Sequence, residues 1–266
     1  GSEMCIRDRF ILTWFLTRDK LPAYKYLPTF MSTENVINNQ RIAKNTFLLY
    51  LRTIFVLAVS LYTSRLVLKV LGVDDYGIYQ VVGGMVTMFG ILSNALSAAI
   101  SRFITFELGS GKAERLKRLF STSVVVQYVL AGIVFIIAEV VAIWFMETEM
   151  QLPKGREFAA KCVLHCSLFT FCVNLISIPY NACIIAHEHM KAFAYMSVVD
   201  VVLKLIACLG VMCIPIDKLI SYSIFLAVIS ISIRILYWLY CKKHFEETRG
   251  SVAFDWCIFK EMLGFS

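Results

Sequence analysis

Residues 77–106 read GIYQVVGGMVTMFGILSNALSAAISRFITF. The stretch is long enough to cross a bilayer as one helix, since about 20 residues suffice. It is not uniformly apolar. Gln80, Gly83 or Gly84, Thr87, Gly90, Asn94, Ser97 and Ser101 recur at spacings of three or four. That period places them on one helical face. Val81, Val82, Met85, Phe89, Leu92 and Leu96 occupy the others. A membrane helix turns such a small-and-polar stripe away from lipid. The stripe has two readings: close packing of helices through Gly and Ser, or one wall of a polar transport path.

The composition extends this reading to the whole chain. Of 266 residues, 59% are hydrophobic and only 17% charged. Mean hydropathy is +0.71. The charges cluster between long apolar runs, as in a polytopic helical membrane protein and not in one large soluble core. In such a chain the net charge of +7 reports orientation and gives no reason to expect a nucleic-acid partner. Nine cysteines, among them Cys162, Cys166, Cys172, Cys183, Cys208 and Cys213, lie mostly inside apolar runs. They lack the paired spacing of a secreted disulfide framework and read as small buried thiols.

In chain order, residues 1–30 differ in character from the rest of the chain. Their apolar run, Phe10 to Leu16, is too short for a span and is followed by no cleavage site. MCIRDR resembles a translated sequencing adapter, so this piece reads as a non-native or disordered leader, with Met31 the expected start. Six spans are then expected. They run from about Asn45 to Leu68, Gly77 to Phe106, Ser121 to Met146, Cys162 to Ala186, Ala192 to Ile214, and Leu219 to Tyr240. The expected domains are a six-helix transmembrane bundle over residues 31–249 and, over 250–266, the start of a seventh helix. The fold class is all-α. Ser167, Thr170, Asn174, Ser177 and Asn181 give the fourth span a polar face as well, and Pro179 is expected to bend it. The loops holding Lys112, Arg115, Lys117, Arg118, Lys191, Lys242, Lys243 and Arg249 are the more basic. The positive-inside rule makes that side cytoplasmic, with the amino terminus inside.

Motifs for chemistry fail on spacing. GSGK at Gly109 to Lys112 lacks the upstream glycine of a phosphate loop, and Ala113 stands where Ser or Thr would hold magnesium. His187-Glu188-His189 lacks the i, i+4 histidines of a zinc protease helix. His165 beside Cys162 and Cys166 reads as packing, so no metal or cofactor is expected. Neither a hydrolytic triad nor a carboxylate pair for acid–base chemistry is present, so no enzyme is expected.

The charges inside the spans carry more information. A charged side chain near the bilayer centre costs at least about 2.5–3.5 kcal/mol on insertion scales. Arg52, Glu139, Lys204 and Arg234 are the deepest. Asp200 and Lys204, at i and i+4, form an expected structural ion pair. Arg52 and Arg234 have no acidic neighbour on their own helices. They are candidates either for pairing with other helices or for holding an anion such as phosphate. Asn94, Asn174 and Asn181 are candidates for the same pathway. Glu139 is a candidate coupling-ion site.

Four stretches resemble the polysaccharide-transporter (Wzx-like) flippases of the multidrug/oligosaccharidyl-lipid/polysaccharide exporter superfamily. They are RIAKNTFLLYLRTIF, SLYTSRLVLKVLGVDDYGIYQVVGG, SRFITFELGSG and IPYNACIIAHEHMKAFAY. The LGxxxYG loop is the most specific piece, and the resemblance runs from about Gln40 to the carboxyl end. It implies two six-helix bundles about a central cavity with alternating access, in the bacterial cytoplasmic membrane. The implied cargo is an undecaprenyl-diphosphate-linked oligosaccharide, an O-antigen or capsule repeat unit. The chain then reads as the amino-terminal half of such a transporter. Its partners would be the lipid-linked oligosaccharide, membrane lipid and a missing carboxyl-terminal bundle. The alternatives are a cation-coupled multidrug exporter of the same superfamily, which would want acidic residues in its cavity, and a transporter fragment without function.

Overall fold

A computed structural model describes the backbone of residues 31–88, 90–148, 155–213, 215, 217–250 and 254–264. Side chains of 31–44, 91–95, 146, 147, 261, 263 and 264 lie outside that description. So does the expected leader, residues 1–30. The chain divides into two compact units, Gly1–Thr46 and Phe47–Ser266. The second holds the helical bundle.

Among the described residues the protein is all helix and turn. Helices α1 (Met31–Leu71), α2 (Val73–Met88), α3 (Gly90–Ser110) and α4 (Ala113–Thr148) come first. They are followed by α5 (Glu157–Ala186), α6 (Met190–Val211), α7 (Lys218–His244), a 3₁₀ turn (Glu246–Arg249) and α8 (Trp256–Gly264). Among the described residues, five helices are long and apolar enough to cross a membrane: Asn45–Leu71 of α1, Ala113–Phe145 of α4, and α5, α6 and α7. The protein is therefore a multi-pass membrane protein. The expected second span is helical on both sides of Phe89, which lies outside the described residues.

Several helices start earlier than expected. Charged segments expected to be loops belong to them: α4 begins at Ala113, eight residues before Ser121, and α5 at Glu157. The reason is propensity, because AERLKR and EFAAK consist largely of good helix formers. Sharp reversals need only a few residues. Gly72, Gly111 and Gly155 hold φ of +86°, +71° and +88°, a region glycine enters without a side-chain clash.

Helix α5 sits at the centre, packed against α2, α3, α4, α6 and α7, and it is the most buried of the spans. Pro179 stays inside it and is buried. The main core joins Ile100 and Ile104 of α3, Leu116 and Phe120 of α4, Leu175 and Ile184 of α5, and Ile233 of α7. Outward faces stay apolar. Ile133, Ile136, Ile137, Val140 and Trp144 of α4 are exposed, as are Ile224, Val228 and Leu239 of α7. Hydrocarbon, not water, suits such a surface.

One end of the bundle is tied by a single cation. Arg156, just before α5, pairs with Asp75 of α2 at 2.9 Å and with Asp217 at the start of α7. Asp217 also caps α7, accepting the Leu219 N–H at 3.0 Å. One guanidinium thus faces two carboxylates. Burial pushes the Asp75 carboxyl up from its ordinary 3.8; Arg156 pulls it down, while Asp217 and Asp74 add to the rise. A raised carboxyl is least costly to the fold below its ordinary value. Its contribution to stability falls as pH rises through the raised one. At neutral pH, Arg156 offsets that cost. Arg156→Ala should therefore destabilise the bundle at pH 7 by about 2 kcal/mol. The loss should shrink as pH falls below the raised value of the Asp75 carboxyl and that group takes up its proton. Thermal melts of the detergent-solubilised protein across this range check both statements.

Candidate functional site

The polar faces of four helices meet in one cavity of about 700 Å³. Helix α1 contributes Arg52, Ser60 and Thr63, and α5 contributes Thr170, Asn174, Ser177 and Asn181. From α6 come Phe193, Ser197, Asp200 and Lys204, and from α7 Tyr222, Ser230 and Tyr237. The geometry is helical periodicity made three-dimensional. Residues 170, 174, 177 and 181 lie one turn apart on α5, as do 193, 197, 200 and 204 on α6. A volume of this size falls within the range of ligand pockets, about 300–1,000 Å³.

Arg52 is the central cation. Its guanidinium carbon lies 4.4 Å from the centroid of the Phe193 ring. Its Nε is buried without a hydrogen-bond partner, as are Thr170 Oγ1 and Asn181 Oδ1. A buried polar atom left unpaired costs about 1–3 kcal/mol. Three such atoms on one cavity wall mark a surface prepared for a polar guest. Lys204 and Asp200 pair at 2.7 Å within α6. Asp200 is the acidic residue that lines the cavity among those described, so its charge is already matched.

The structure gathers only part of the sequence-derived set. Arg52, Asn174, Asn181, Asp200 and Lys204 share the cavity wall. Arg234 is not brought there. Its guanidinium stacks over Tyr180 at 4.0 Å, with Nη1 buried and unpartnered. Position 234 follows Ile233, which does face the cavity, so one residue of helix rotates the arginine off that wall. Glu139 lies on α4, where Oε1 meets His165 Nδ1 of α5 at 2.5 Å; neither residue lines the cavity. Asn94 is in α3, and its side chain lies outside the described residues. Phe193 and Tyr237 are cavity residues that periodicity alone does not reveal. An aromatic residue inside an apolar span looks like core until the cation above it is seen.

The stack between Arg52 and Phe193 is open to measurement. In a double-mutant cycle of Arg52→Met and Phe193→Leu, thermal melts should yield a coupling energy of about 0.5–2 kcal/mol.

Residues 42–266 match the sequence model of a family described as polysaccharide biosynthesis protein. No curated protein and no solved structure matches the chain.

Proposed function

Because the chain belongs to the polysaccharide biosynthesis protein family, we propose that it transports a lipid-linked oligosaccharide across a bacterial cytoplasmic membrane. Its cavity would receive the diphosphate headgroup. The observation that carries this reading is Arg52: a permanent cation with an unpaired Nε, held by an aromatic ring in a cavity inside an apolar bundle. A guanidinium in such a place suits a phosphate, which accepts its planar fork by charge-assisted hydrogen bonds. The hydroxyl and amide side chains of Thr170, Asn174, Asn181 and Ser197 offer donors and acceptors to sugars passing the same wall.

In this reading the basic segments at Lys112–Arg118, Lys191 and Lys242–Arg249 are cytoplasmic. The Arg156 tie then closes the outer end of this bundle. The mechanism is alternating access between this bundle and a second one across the cavity. A cation exporter on the same scaffold is less well supported, because a free carboxylate would serve it and the cavity's Asp200 is already neutralised by Lys204.

The test places the complete gene in a strain lacking its own flippase and measures surface glycan. Loss of a charge-assisted hydrogen bond costs about 1.5–3 kcal/mol, or about 10–100-fold in affinity. Arg52→Ala should therefore abolish most display at normal expression, and Arg52→Lys should restore part of it. Full display by Arg52→Ala protein would end the phosphate role.

A further inference from the structure

The end of the bundle opposite Arg156 holds a second recess, of about 490 Å³. Three of the chain's four histidines line it: His187, His189 and His244. At its edge Cys183 and His187, one turn apart at the end of α5, meet Glu247 of the 3₁₀ turn. We propose that Cys183, His187 and Glu247 form a binding site for a divalent transition metal of zinc-like preference.

Three observations carry the proposal. First, the donor set is right: a thiol sulfur, an imidazole nitrogen and a carboxylate oxygen, with all three ligand atoms within 4.8 Å of one another. Three protein ligands with a fourth position left to water is a common zinc arrangement. Among the described residues, no other group of three such donors converges this closely. Second, the ligands are already held. Glu247 Oε1 lies 2.5 Å from His187 Nε2 and 3.4 Å from Cys183 Sγ. The His187 ring stacks on Phe245 at 4.3 Å between centroids, which fixes its plane. Third, the turn that presents His187 is unusual. Glu188 adopts φ +56°, the one positive φ outside glycine among the described residues. Such a conformation, uncommon for a side-chain-bearing residue, sends the chain sharply from α5 into α6.

Binding is simple ligand exchange. The Cys183 thiol and the His187 Nε2–H both donate to Glu247. On binding, the thiol loses its proton to water, and Nε2 loses its proton while Nδ1 takes one up. The lone pairs so freed face the metal beside the carboxylate oxygen, and no redox change occurs. The imidazole–carboxylate separation then opens to about 3.3 Å, as two bonds of about 2.0–2.1 Å to one tetrahedral ion require. The metal would tie the end of α5 to the segment between α7 and α8. The site rests on geometry alone and is independent of what the cavity carries. Sequence spacing does not reveal it, because one i, i+4 partner is cysteine and the third ligand lies 60 residues away.

The test is Co²⁺ titration of the purified full chain in detergent, read by absorbance. The expected result is one equivalent bound, with a thiolate-to-cobalt band in the near ultraviolet and four-coordinate bands in the visible. Zn²⁺ should displace both. Cys183→Ser should abolish the thiolate band, and replacing exposed Cys213 and Cys257 by Ser should preserve it. Glu247→Gln should weaken binding by more than about 10–100-fold, the range for losing an outer-shell partner. Absence of a thiolate band in the unsubstituted chain would overturn the proposal, whether or not the variants fold. Persistence of the band in Cys183→Ser would overturn it equally.

Discussion

A guanidinium cannot be left bare among hydrocarbon. The cost of placing Arg52 inside a span must be met by protein dipoles, by an aromatic face or by water. The bundle sets the ring of Phe193 against the guanidinium, and the hydroxyls of Ser60 and Thr63 and the amides of α5 line the same cavity. The inward polar faces of α5 and α6 follow from that requirement, as does the outward apolar surface of α4 and α7. The result inverts the usual soluble arrangement and leaves a polar hollow where a soluble protein keeps its driest core.

The two ends of the bundle are built differently. At one, Arg156 gathers Asp75 and Asp217 from helices distant in sequence. At the other, Glu247 gathers Cys183 and His187, while Arg115 pairs with Glu107 at 3.0 Å. Both ties act on the ends of α5 and α7, the pair that forms much of the cavity wall. Anything that loosens one end and not the other would tilt these helices about their packed middle. Under the alternating access proposed for this protein, that is the motion a rocking bundle needs.

Much of this was legible in the sequence, and the reasons are specific. The spacing of Thr170, Asn174, Ser177 and Asn181 survives in space because they lie on one continuous helix. Asp200 and Lys204 pair for the same reason. Helix starts at Ala113 and Glu157 were hidden because charged residues can be good helix formers, so polarity marks the edge of the membrane and not the end of the helix. Arg234 could not be placed by composition, since one residue of rotation moves it from the cavity wall to the ring of Tyr180. The Arg156 tie and the Cys183 cluster join residues some 60 or more positions apart, and no single-helix pattern reports such contacts.

Transport through this bundle requires Arg52 and the polar faces of α5 and α6 to line a water-filled hollow. Cysteine accessibility in native membranes tests that directly. In a background without other cysteines, Asn174→Cys and Ser197→Cys should react readily with a charged maleimide, while Ile137→Cys on the outer face of α4 should not. Reaction at Ile137→Cys with none at Asn174→Cys and Ser197→Cys would place the polar faces against lipid or packed protein, and would contradict a water-filled path.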